Sequence, residues 1–306
     1  MHTASMTPRT RRARPAVTSP LGAGLIAAGF AAWVIAGTPA AVKGTVHKLR
    51  MAAPSVSETA RTVRVYLPPS YSQPDAAARH YPVVYMLHGW PGSDGNLLEL
   101  GHANDTADSL IARHAIPEII MVFPNGRGAG LLGRSYWINS YDGRKRVEDY
   151  VVHDLIPWID GHYRTLPGPG GRGIIGISEG GDAALNLAFR HPDLFSACGG
   201  HSGDYVLEKG VGTSAFLGPE PGATELLRQN SPAIYARRIM AQLRRQHLYL
   251  DCGTSDESIA HNRAFHRQLD SLAVPHEYHE FPGSHTWGYW GRHLRESLLA
   301  VAGALS

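Results

Sequence analysis

The chain reads as an α/β protein with a mostly parallel central sheet and helices on both faces. Three observations lead there. Continuous apolar runs end in glycine, as in YPVVYMLHG (81–89) and QHLYLDCG (246–253). A strand covered on both faces needs apolar side chains on each, so it loses the alternation of a half-exposed strand. Longer segments with apolar residues at helical spacing separate these runs. The two kinds of segment take turns along the chain, which implies helical crossovers between parallel strands.

In order, TVRVYLP (62–68) alternates and predicts an early strand, followed by strands at 81–89 and in PEIIMVFPNG (117–126). VEDYVVHDLIPWIDGHY (147–163) places Val147, Val151, Leu155, Ile159 and Tyr163 on one helical face. Strand RGIIGI (172–177) then passes into a helix from 179 to 190, and strand FSACGGHSG (195–203) follows. The stretch from Gly203 to Ser231, rich in glycine and proline, reads as an excursion between strands. QHLYLDCG is the next strand, AHNRAFHRQLDSL (260–272) a helix and HEYHEFPG (276–283) a strand, and a last helix begins near 286. No repeat or low-complexity stretch interrupts the series, so residues 42–306 read as one domain.

With 43% apolar residues the chain can fill a sizeable core, and a net charge of +3 from scattered arginines gives no basis for nucleic-acid binding. The start is different. RTRRAR (9–14) precedes LGAGLIAAGFAAWVIAG (21–37), with no charge between Arg14 and Lys43. A basic stretch before an apolar one is an export pattern, and TPA (38–40) offers small residues for cleavage. The apolar run also approaches membrane-spanning length, so residues 1–41 read as a signal peptide or as an anchor tethering the protein through 21–41. Both readings put the domain outside the cytoplasm. Cys198 and Cys252 lie in or near apolar runs and read as buried thiols, because a disulfide between neighbouring central strands has awkward geometry. His276 and His279, three apart in a strand, point to opposite faces and do not suggest a zinc site.

GIIGISEGG (173–181) contains G-x-S-x-G where a strand turns into a helix. Such a turn holds a serine hydroxyl out at the end of the sheet, and it needs small neighbours, here Gly176 and Gly180. Ser178 is the candidate nucleophile. The acid and the base should follow in that order. DCGTSDES (251–258) offers Asp256, with Glu257 and Asp251 as competitors, and PGSHTW (282–287) offers His285. Both lie just beyond the carboxyl ends of strands, where ligands of parallel sheets bind. Two backbone N–H groups should receive the oxyanion: that of Glu179, next to the nucleophile, and that of Trp90 in MLHGWPGSDG (86–95). His88 reads as a residue that fixes this loop. Trp90, Tyr136, Trp137, Trp287, Tyr289 and Trp290 are aromatics placed to border the site or, for Tyr289 and Trp290, to pack the last helix.

On VRVYLPPSY, YPVVYMLHG, DLIPWIDGHYRT, GISEGGDAALNLAFRHPDLFSACGGHSG, LDCGTSDE and PGSHTWGYWGRHL, the chain resembles the esterase D-like branch of the α/β-hydrolases. That branch includes feruloyl esterases, S-formylglutathione hydrolases and mycolyltransferases. The resemblance implies a catalytic triad of Ser178, Asp256 and His285, oxyanion donors at Trp90 and Glu179, and no metal or organic cofactor. It implies a small-molecule, glycan or lipid ester as substrate. Glu179 departs from the apolar residue common in the family, so its carboxylate is expected to turn away from the oxyanion toward a basic or hydroxyl group. The export pattern speaks against S-formylglutathione hydrolase activity. An acyltransferase acting on a sugar alcohol and a non-catalytic binding module on the same fold are the alternatives.

Overall fold

The computed structural model describes residues 42–128 and 133–306. Its central strands are buried throughout, and their alternate side chains fill two cores. In β3 (Val83–Leu87), Val83, Tyr85 and Leu87 enter one core, while Val84 and Met86 enter the other. In β4 (Ile120–Pro124), Ile120 and Val122 part in the same way from Met121 and Phe123. This is the physical content of the unbroken apolar runs: a period of two with both phases apolar.

The other strands are β1 (Thr45–Ala53), β2 (Glu58–Leu67), β5 (Arg172–Ile177), β6 (Ala197–His201), β7 (His247–Gly253) and β8 (Glu277–Phe281). They form one sheet in the order β1-β2-β4-β3-β5-β6-β7-β8. β1 and β2 run antiparallel to each other and β2 runs antiparallel to β4, while the remaining pairs are parallel. Helices cover both faces. The first core takes residues from α2 (residues 147–162), α3 (Glu179–Arg190) and α5 (Ile259–Ser271), and the second from α1 (Ala103–Ala112) and α6 (Trp287–Gly303). α4 (Gly222–Gln229) lies in the excursion between β6 and β7, which carries several short helices. Ala41–Ser306 forms one compact unit.

Three features depart from the sequence reading. β1 is a strand that the composition hid, because TVHKLRMAA is an exposed edge with only its last residues buried. α1 also escaped notice, having few large apolar residues to mark a period. The third departure is in α2, where Tyr150–Leu155 wind as a π-helix. Residues four apart drift about 40° per step around an α-helix, so the apolar series from Val147 to Ile159 would leave the core. The wider π turn reverses that drift, and Val147, Val151, Leu155 and Ile159 are all fully buried.

The leader or anchor expected at residues 1–41 lies outside the described residues. Among the described residues, no helix is long and apolar enough to cross a membrane. Cys198 and Cys252 are separate buried thiols, and burial pushes both pKa values up.

Candidate active site

Strand register brings the site to one end of the sheet. Leu87 pairs with Gly176, Ile177 with His201, and His201 with Asp251, so β3, β5, β6 and β7 release their loops side by side. Ser178 sits between β5 and α3 with φ 53° and ψ −127°, a strained conformation for a residue with a side chain. The turn is tight enough that a Cβ at Gly176 would come within 1.8 Å of the Gly180 carbonyl oxygen. A Cβ at Gly180 would lie 2.4 Å from the Leu87 carbonyl oxygen. The backbone N–H of Ser178 donates to the His201 carbonyl at 2.8 Å, fastening the turn to β6.

Asp256 and His285 stand in the loops after β7 and β8. Two backbone hydrogen bonds join these loops: Thr254 N–H donates to the Phe281 carbonyl and Ser255 N–H to the Gly283 carbonyl, each at 2.8 Å. His285 Nε2 lies 2.8 Å from Ser178 Oγ, and its Nδ1 lies 3.0 and 3.1 Å from the two oxygens of Asp256. Asp256 is buried and also accepts from the Ser258 N–H at 2.9 Å. Burial alone would raise the Asp256 carboxyl. Hydrogen bonds from His285, Ser258 and Ser202, together with the imidazole charge, carry it below its ordinary value. For His285, burial works to lower the imidazole, but the hydrogen bond and charge of Asp256, aided by Glu257 and Asp204, raise it overall.

Of the competing acids, Glu257 is exposed and contributes only charge. Asp251 is committed elsewhere. It is wholly buried, with one oxygen 2.8 Å from His201 Nδ1 and 2.8 Å from the Tyr249 hydroxyl, and the other accepting from the Tyr289 hydroxyl at 2.9 Å. The far nitrogen of His201 meets the Ser297 hydroxyl at 2.8 Å. This polar cluster lies under the Ser178 turn, because His201 is the residue whose carbonyl holds Ser178.

Glu179 is the first residue of α3, so its N–H has no partner one helical turn back, and the helix dipole favours negative charge there. Its side chain bonds to Arg134 Nε at 2.6 Å and accepts from the Tyr136 N–H at 3.0 Å. Burial raises its pKa in spite of the arginine. The guanidinium is itself held over the rings of Trp90, 5.1 Å away, and Tyr136, 4.4 Å away. Arg134 was invisible to sequence reasoning, since the loop carrying it has no periodicity. The Glu179 departure was the one signal that a cation was needed. Gly89 passes close over Ser178, where a Cβ would be 2.9 Å from Ser178 Cβ. His88 fixes this loop: its Nδ1 lies 2.8 Å from the Gly89 carbonyl, and its Nε2 accepts from the Gly126 N–H at 2.9 Å. Burial pushes its pKa down to about 4, so it stays neutral.

The aromatics divide. Tyr136 and Trp137 are buried and serve the scaffold, Trp137 donating its indole N–H to the His88 carbonyl. Tyr289 and Trp290 pack the last helix, and the Trp290 indole donates to Ser202 Oγ at 3.1 Å while its ring stands nearly perpendicular to that of His285. Trp90 and Trp287 remain partly exposed. A cleft of about 410 Å³ beside Glu179 is lined by His88, Trp90, Pro91, Asn96 and Arg127 among others.

The family model described as "Putative esterase" matches residues 55–301. An esterase of Mycobacterium tuberculosis is 29% identical over 255 residues, covering 74% of this chain and 52% of the relative. The chain thus spans about half the length of that curated relative. The MPT51 antigen of Mycobacterium leprae is 27% identical over 264 residues, covering 76% of this chain and 84% of the antigen. Among solved structures, a ferulic acid esterase superposes with a TM-score of 0.77 at 27% identity, over 86% of this chain and 100% of that one.

Proposed function

Because the chain belongs to this esterase family, we propose that it is an extracytoplasmic serine esterase that cleaves carboxylic esters through an acyl-enzyme. The observation that carries the reading is the continuous hydrogen-bonded series from the Ser178 hydroxyl through His285 to Asp256. His285 takes the Ser178 proton as the oxygen attacks the ester carbonyl, and Asp256 holds the imidazole and stabilises its cationic form. The N–H groups of Glu179 and Trp90 receive the oxyanion at the N-terminus of α3. His285 then passes its proton to the leaving alcohol. Water, activated by the same imidazole, releases the acyl group.

The exposed faces of Trp90 and Trp287 and the cleft beside Glu179 suit an aryl or glycosyl ester, and the likeness to a ferulic acid esterase points the same way. The basic stretch and apolar run at residues 9–37 support export. The test is labelling by a fluorophosphonate probe together with hydrolysis of feruloyl, acetyl-sugar and p-nitrophenyl esters of rising acyl length. Wild type should label and turn over, and Ser178→Ala should do neither. Labelling that persists in Ser178→Ala rejects the assignment, and turnover that accelerates with an added sugar alcohol identifies acyl transfer instead. Fractionation of cells expressing the full chain checks the location.

A further inference from the structure

Away from the serine, the connection from α5 to β8 gathers three metal-ligating side chains among the described residues. His266 and Asp270 stand one turn apart on α5 and so share a face. His276 joins them from the connector that leads into β8. His266 Nδ1 lies 2.8 Å from His276 Nε2, and oxygens of Asp270 lie 3.4 Å from His266 Nε2 and 3.9 Å from His276 Nε2.

The second layer of contacts is the kind that prepares imidazoles for a metal. The side chain of His276 is 3% exposed, and its Nδ1 donates to the Val274 carbonyl at 2.8 Å. That bond fixes the tautomer and aims the Nε2 lone pair into the cluster. The ring of His266 is held by stacking on Tyr278, with centroids 4.3 Å apart. Asp270, 62% exposed, leaves the cluster open to water on one side. The nearby cation Arg263 is neutralised by two bonds to Glu280, at 2.9 and 2.6 Å. His279 takes no part, stacking instead on Phe281.

We propose that His266, Asp270 and His276 bind a late first-row divalent cation of the zinc type, at a site distinct from the esterolytic one. Two imidazoles and a single carboxylate suit zinc and its neighbours, whereas calcium and magnesium select oxygen-only ligand sets. Tetrahedral zinc with bonds of about 2.0–2.1 Å sets ligand nitrogens about 3.4 Å apart, so the two rings need only a small parting from 2.8 Å. His266 moves its proton from Nδ1 to Nε2, and its freed Nδ1 becomes a ligand. No proton is lost in that exchange, and water completes the coordination. The ion ties α5, which follows the Asp256 loop, to the connector entering β8, the strand that leads into the His285 loop.

The test is calorimetric titration of ZnCl2 into the full chain and into the His266→Ala/Asp270→Asn double variant, with CaCl2 as the hard-cation control. Both substituted positions are partly exposed, so the variant keeps the fold, and an unchanged metal-free thermal midpoint and circular dichroism spectrum verify this. Wild type should show a saturable zinc site, no calcium site, and a rise in thermal midpoint with zinc. The double variant should bind zinc at least about tenfold more weakly and lose the rise. Wild-type zinc affinity in the double variant, or no saturable site in wild type, overturns the proposal. Neither result depends on the esterase reading, since the titration contains no substrate.

Discussion

At the scale of single residues, the side chains proposed for the chemistry were legible because each closely follows a strand, and the groups that tune them were not. Ser178 and Asp256 stand within a few residues of strand ends that apolar runs announce, and His285 stands just beyond β8, whose residues are exposed or half-buried. Arg134 comes from a loop with no pattern, and nothing but the oddity of Glu179 pointed to it. Its removal leaves a buried carboxylate without its cation beside the proposed oxyanion site. Arg134→Ala should therefore lower kcat about tenfold or more, at least about 1.4 kcal/mol in the barrier, with little change in KM. Adding Glu179→Gln to that variant should restore most of the loss, because the offending charge is then gone. A double variant no faster than Arg134→Ala would show that the arginine acts otherwise. The raised pKa of His285 makes a second prediction. The base must be neutral, so activity should fall as pH drops through a midpoint above about 6.5, the ordinary imidazole value. In Asp256→Asn the largest raising causes disappear while burial remains. The acidic limb of the pH–rate profile should move to lower pH and kcat should drop by on the order of 10⁴.

At the scale of elements, six of the eight strands were located closely: runs buried on both faces mark β3 to β7, whereas β8 was found in HEYHEFPG although its residues are exposed or half-buried. β2 was recognised in part, through its alternating second half, and β1 was missed because an edge strand carrying His47, Lys48 and Arg50 lacks that signal. Such charges suit an unpaired edge, where they discourage association with another strand. The helix over 147–162 was found by its spacing, but the π turn that the spacing demanded was not, because a period of four also passes for an imperfect period of 3.6. The turn between β5 and α3 is the element with least room. Gly176→Ala puts a methyl into the Gly180 carbonyl, and neither backbone can retreat without moving β5 or α3. We expect a loss of about 4 kcal/mol or more in a denaturant titration, or a chain that does not fold. A soluble, fully active Gly176→Ala protein contradicts the geometry.

At the scale of the whole molecule, the sheet does more than carry loops to one end. The His201–Asp251 pair, completed by Tyr249, Tyr289 and Ser297, links β6, β7 and α6 beneath the nucleophile turn. Truncating one partner leaves the other charge or lone pair buried without compensation. Asp251→Asn should cost about 3–5 kcal/mol in stability, read as a shifted denaturant midpoint, although Asp251 is not part of the proposed proton path. A variant as stable as wild type would mean that the pair is dispensable. The connectivity also has a temporal meaning. The alcohol is supplied by the turn after β5 and the imidazole 107 residues later, with β6, β7 and β8 laid down in between. Under the proposed mechanism a half-formed chain holds an inert hydroxyl, and the docking of the final crossover switches reactivity on. Recovery of probe labelling during refolding is thus a clock for completion of the sheet.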